Sequence, residues 1–125
     1  MMPAGMSALA EAPFELSDRP LESELLAKYF RAFGDPTRVR ILEALTEGER
    51  SVGELVELLG EPQPKVSNHL GCLRWCGFVS SRREYRTVYY RVADRRVTKL
   101  VELGRALLRD NAEHAAACRQ IDGRC

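Results

Sequence analysis

Apolar residues recur at intervals of three and four from Leu21 onward. Leu21, Leu25 and Tyr29, flanked by Leu26, Phe30 and Phe33, trace an amphipathic helix that ends at Gly34. Asp35-Pro36 restarts the chain, with the aspartate as N-cap and the proline in the first helical position. Val39, Leu42 and Leu45 form the buried stripe of this second helix, which Gly48 breaks. Ser51 then caps a short third helix carrying Val52, Leu55, Val56 and Leu59 before Gly60. Pro62 and Pro64 fit only in or before a first turn, so a fourth helix begins around Glu61 to Gln63, runs to Cys76 and stops at Gly77. Two short helices joined by a tight glycine-containing turn form the helix-turn-helix pattern.

After Gly77 the period changes to two. Residues 78–83 and 87–92 alternate as the strands of a hairpin turning around Glu84 to Arg86. Asp94 caps a last helix whose apolar positions are Val97, Leu100, Val101, Leu103, Leu107 and Leu108. These positions, with the aromatics of the first helix, cover more surface than one small domain can hide. The predicted fold class is therefore mainly α with a two-stranded β-wing: a winged helix-turn-helix that is dimeric through its first and last helices.

Composition narrows the context. The chain has 125 residues, 45% hydrophobic and 30% charged, as in an ordinary soluble domain. No basic segment followed by a long apolar run opens it, and no apolar stretch approaches the roughly 18 residues of a membrane span. A cytoplasmic protein without a membrane partner is expected. Its four cysteines, at 72, 76, 118 and 125, should then stay reduced, leaving metal binding, redox sensing or packing as their roles.

The formal net charge of +1 hides an asymmetry. Residues 1–59 carry 6 basic and 11 acidic groups, residues 60–96 carry 8 and 3, and residues 97–125 carry 5 and 4. The basic third contains the fourth helix and the hairpin, where a duplex would meet it. Gln63, Lys65, Ser67 and Asn68 lie in the N-terminal part of the second helix of the motif, where base edges are read; His69 follows on the surface near DNA. Arg74 and the wing residues Arg82, Arg83 and Arg86 are placed to neutralise phosphates.

These strings, FGDPTRVRILEAL, SVGELVELLG and QPKVSNHLGCLR followed by a two-stranded wing, resemble the ArsR/SmtB family of metal-responsive winged-helix repressors over about residues 21–110. The resemblance implies a homodimer that binds double-stranded operator DNA beside a resistance or efflux gene and is released by an inducing metal. The arsenic and cadmium type carries cysteines entering the third helix, where this chain has Ser51 and Gly53. The zinc type needs Asp and His near the start of the last helix, where Arg95 and Arg96 follow Asp94 and no histidine occurs before His114. What remains resembles the cadmium/lead sensors and mercury-operon repressors of actinomycetes. The former hold the ion with two cysteines of the recognition helix and a third from the partner's C-terminal region.

At about 100° per residue, His69, Cys72 and Cys76 fall within roughly 60° on the helix, so both sulfurs can meet one soft ion such as Hg(II), Cd(II) or Pb(II). Cys118 is the expected third ligand and Cys125 the alternative. The competing view is that the pair only packs, in a winged-helix module for protein association; a redox-responsive repressor is a further alternative, although a disulfide within one helix would be strained. A thiol enzyme is not expected, because Cys72 and His69 lack an orienting third group, and no small organic substrate is expected. The implied division is a flexible arm at 1–20, rich in proline, a DNA-binding and dimerisation domain at 21–110, and a cysteine-bearing tail at 111–125.

Overall fold

The computed structural model describes residues 19–117, so nearly all of the expected arm, and both Cys118 and Cys125, lie outside the described residues. The elements are α1 (Arg19–Ala32), α2 (Pro36–Thr46), β1 (Arg50–Ser51), α3 (Val52–Leu59), α4 (Gln63–Trp75), β2 (Val79–Glu84), β3 (Thr87–Val92) and α5 (Arg95–Ala117).

Local chemistry sets the helix ends. Asp35 caps α2, its carboxylate accepting from the Arg38 amide at 3.1 Å, with Pro36 directly inside. Ser51 and Glu54 form a reciprocal capping box at α3: Ser51 Oγ accepts from the Glu54 amide at 3.1 Å and Glu54 Oε1 from the Ser51 amide at 2.7 Å. At the end of α4 the Gly77 amide donates to the Arg74 carbonyl (3.0 Å) and the Phe78 amide to the Leu73 carbonyl (2.9 Å). That pair of bonds is a Schellman motif, and Gly77 supplies its left-handed residue at φ 80. The motif folds Phe78 back into the core.

Asp35→Ala should lower stability by about 1 kcal/mol at neutral pH, the usual worth of an N-cap. Partial burial pushes the Asp35 carboxyl up. The Arg38 amide, the neighbouring His69 imidazole and Arg38 guanidinium, and the Thr37 amide outweigh it, holding the group below its ordinary 3.8. The folded state thus binds this proton less readily than the unfolded chain, so the stabilisation is present above 3.8 and lost as pH falls through the lower folded value. Urea midpoints of parent and variant should differ at pH 7 and converge in acid; equal midpoints at pH 7 would contradict the cap's contribution.

The core sits where α2, α3 and α4 meet. Ile41, Leu42, Leu55, Val66, Leu70 and Leu73 are fully buried, and Phe78, Val79, Val97 and Val101 close the cluster. On α2 the buried stripe is Ile41, Leu42, Ala44 and Leu45, while Val39 is only half-buried. α1 joins this core at its C-terminal end, where the rings of Phe33 and Tyr29 stand 4.9 and 5.1 Å from that of Phe78. Its Leu26, Tyr29 and Phe30 are exposed, as are Leu100, Leu103, Leu107 and Leu108 of α5. α5 bends at Asn111 (φ −128, ψ 25), whose side-chain amide donates to the Leu107 carbonyl at 3.0 Å, and continues to Ala117. No described helix is long and apolar enough to cross a membrane.

β2 and β3 pair antiparallel, from Val79 opposite Val92 to Glu84 opposite Thr87. The tip is Tyr85-Arg86, and Tyr85 takes φ 58, a conformation that favours glycine, with its ring in solvent. The sheet departs from the expected two strands: β1 pairs with β3, Arg50 opposite Tyr90 and Ser51 opposite Tyr89, giving the order β1-β3-β2. Two residues are too few to display an alternating pattern, and their pairing partner lies beyond α3 and α4 in the chain.

Candidate DNA-reading helix and thiol pair

α4 is the second helix of the motif, docked on α2 and α3 through Val66, Leu70 and Leu73. Its remaining faces form two stripes. Ser67, Asn68, Gly71, Arg74 and Trp75 follow the three- and four-residue spacing along the outward side, and all but Gly71 are exposed. Lys65, His69, Cys72 and Cys76 follow it along the neighbouring side, turned toward α1 and the start of α2. Gln63 is exposed in the first turn; Lys65, also exposed, pairs with Glu61 at 3.0 Å.

His69 does not simply face solvent. Its side chain is only 17% exposed, Nδ1 lies 3.2 Å from Arg38 Nη1, and Nε2 lies 3.6 Å from Asp35 Oδ2. A guanidinium can only donate, so Nδ1 accepts, and the imidazole of this arrangement carries its proton on Nε2 facing the carboxylate. Arg38 also donates from Nε to the Ala32 carbonyl (2.7 Å) and from Nη2 to the Arg31 carbonyl (3.1 Å). Sequence reasoning assigned nothing to Arg38, because its partner on α4 is 31 positions away. It also passed over Trp75, which is 92% exposed at the C-terminal end of the outward stripe.

In the wing the arginines separate by environment. Arg82 is held by Glu49 (2.7 and 2.9 Å) and Glu84 (3.0 Å), and its Cζ stands 4.6 Å over the Tyr89 ring. Hydrogen bonding to Arg82 holds the Glu49 carboxyl below its usual range. The side chains of Arg83 and Arg86 in the wing, and of Arg74 on α4, are exposed and have no ion-pair or hydrogen-bond partner among the described residues. These three present unneutralised charge, Arg74 on the outward stripe and Arg83 and Arg86 on the wing.

Cys72 is exposed and Cys76 half-buried, and neither is in a disulfide. Burial pushes the Cys76 thiol up, and so does Cys72, through its charge and through a side-chain hydrogen bond between the two; Arg38 and Lys28 oppose the rise. The two thiols share one flank of the helix, four residues apart. Among the described residues no third histidine, cysteine or carboxylate joins them into a metal-binding cluster. The donor set fits a soft ion as far as it goes: two sulfurs, one open to solvent, and one coordination position to be filled from elsewhere. Cys118 and Cys125 lie outside the described residues, and His114 is exposed on α5.

Residues 35–81, from the cap of α2 to the start of β2, match the family model described as bacterial regulatory protein, arsR family. A probable mercury resistance operon repressor of Streptomyces lividans is 44% identical over 120 residues, covering 96% of this chain and 91% of its own length. The transcriptional regulator CmtR of Mycobacterium tuberculosis is 40% identical over 109 residues, covering 82% and 92%. Among solved structures, the homodimeric winged helix-turn-helix DNA-binding domain of a possible ArsR-family regulator from Mycobacterium bovis superposes with TM-score 0.71 at 27% identity, covering 82% of this chain and 95% of that one. NolR from Sinorhizobium fredii superposes with TM-score 0.65 at 35% identity, covering 78% and 94%.

Fold and relatives together define a winged helix-turn-helix transcriptional regulator, a DNA-binding protein rather than an enzyme. Within that class the chain belongs to the ArsR family.

Proposed function

We propose that the protein is a homodimeric repressor that binds a two-fold symmetric operator and is released by a thiophilic ion, Hg(II) or Cd(II)/Pb(II). The observation that carries the reading is the Cys72–Cys76 pair, four residues apart on the flank of the helix that presents Ser67 and Asn68. A thiol pair so placed can report an ion to DNA without an intermediary.

In this reading α4 enters the major groove with Gln63, Lys65, Ser67 and Asn68 toward base edges. Arg74, Arg83 and Arg86 neutralise phosphates. Arg82 joins them only by leaving Glu49 and Glu84, so it contributes less. His69 acts from behind the reading face. The bound ion supplies a cross-link, held by Cys72, Cys76 and a third thiolate from Cys118, or alternatively Cys125, of the other subunit. The probable mercury resistance operon repressor, as a relative, supports a metal-responsive role, and the homodimeric neighbour supports the assembly.

The test is titration of the purified protein against duplex DNA from upstream of its own gene, with and without Hg(II), Cd(II) and Pb(II). Affinity should fall steeply with salt, the logarithmic slope growing by about 0.9 for each phosphate neutralised. The slope should drop in Arg83→Ala and Arg86→Ala and change little in Arg82→Ala. Absence of salt-dependent DNA binding would point instead to a protein-association module, and a salt-dependent complex that no metal releases would remove the metal response while leaving the DNA reading.

A further inference from the structure

Arg38 occupies a junction that the reading surface does not explain. Its guanidinium spends Nε and Nη2 on the Ala32 and Arg31 carbonyls, the last turn of α1, where the helix dipole favours a cation. Nη1 reaches across to Nδ1 of His69, at the middle of α4. The side chain is thus anchored at one end of α1 and touches the recognition helix with its remaining direction. α1 also meets the body through buried Ala32 and through the rings of Tyr29 and, just past its end, Phe33 against Phe78, apolar contacts that permit sliding. Directional bonds do not permit it. His69 also shares a stripe with Cys72 and Cys76, and Arg38 lies close enough to Cys76 to act on its charge.

We propose that Arg38 and His69 are positioning residues for DNA reading: the Arg38 Nη1–His69 Nδ1 bond sets the rotation of α4 relative to the C-terminal end of α1. The inference rests on the DNA-reading role of α4 stated above and assigns His69 a place behind that surface. A two-fold operator demands that both reading helices have a fixed orientation relative to the helices that join the protomers. In this chain a bond from α1 through Arg38 to α4 supplies that constraint. Rotating α4 by one residue's worth of angle would replace Asn68 in the groove by a flank residue.

The experiment uses the full chain with His69→Ala, His69→Gln and Arg38→Lys, each checked for cooperative melting. Two readouts are taken: operator affinity, and hydrogen exchange of α4 amides without DNA. Glutamine offers a carbonyl to Arg38 and an amide toward Asp35, so it replaces both contacts of the imidazole. Lysine has one compact ammonium and cannot span two α1 carbonyls and an imidazole. His69→Ala and Arg38→Lys should lose roughly 10- to 100-fold in operator affinity, as for a hydrogen bond to a charged group. Their α4 amides should exchange faster, and His69→Gln should stay near the parent in both readouts.

Parent-like affinity and exchange in His69→Ala would overturn the proposal. So would a His69→Gln variant as weak as His69→Ala with parent-like exchange, since that pattern means the imidazole touches DNA itself. Should the parent fail to bind duplex DNA, the DNA reading falls, and exchange alone decides: faster in His69→Ala and restored in His69→Gln upholds the latch, and unchanged exchange removes it. If His69→Ala does not fold, the contrast between His69→Gln and Arg38→Lys carries the same decision.

Discussion

Serine at position 72 or 76 should leave the operator complex within a few-fold of the parent and abolish its release by Hg(II), Cd(II) or Pb(II). Both substitutions keep the size of the side chain and exchange a soft donor for a hard hydroxyl, which these ions bind weakly. Cys72 is exposed and Cys76 half-buried, so neither change empties the core formed by Val66, Leu70 and Leu73. DNA binding survives because the outward stripe, Ser67, Asn68 and Arg74, is untouched. What disappears is the coupling, which in linked binding systems is typically worth about 1–3 kcal/mol, or roughly 5- to 150-fold in operator affinity. The measurement is fluorescence anisotropy of labelled operator against metal, and release of either variant as readily as the parent would refute the recognition-helix site. Cys118→Ser and Cys125→Ser complete the series: the one that loses release identifies the third ligand.

Glutamate at Leu103 should convert the dimer to a monomer and cost about 10²- to 10⁴-fold in affinity for a full two-half-site operator. Leu100, Leu103, Leu107 and Leu108 are 42–67% exposed on α5, and Leu26 and Phe30 of α1 are 53% and 55% exposed. Such a cluster is large for the free surface of a small protein. In a two-fold interface each residue meets its symmetry-related surroundings twice, so one substitution places two carboxylates in the apolar seam. A monomer reads one half-site and loses the effective concentration that tethering the second head provides, which sets the range quoted. Light scattering and operator titration should move together. A variant that remains dimeric, or a monomer that binds the full operator like the parent, would place the interface elsewhere.

The features legible in the sequence are those decided within a few residues. Asp35-Pro36, Ser51 with Glu54, Gly60 and Gly77 mark helix ends because capping bonds span two to five positions. The Cys72–Cys76 pair was visible for the same reason, since an i, i+4 spacing fixes a shared helix face whatever the rest of the fold does. The arginines of the wing looked equivalent in sequence. Only the folded chain brings Glu49 to Arg82, 33 positions away, and so separates a neutralised guanidinium from the free ones at Arg83 and Arg86.

His69 shows the same division. Its place on α4 follows from helical periodicity, which assigns it to the surface beside the reading face. Its partner cannot follow from periodicity, because Arg38 reaches it only after α2 has packed against α4. β1 is decided in the same way, two residues made a strand by the edge that β3 offers them. Local rules determine which residues form a helix and which side it shows. Long-range packing alone decides which charged groups on that side are already satisfied, because a pairwise bond between distant segments has no period along the chain to announce it.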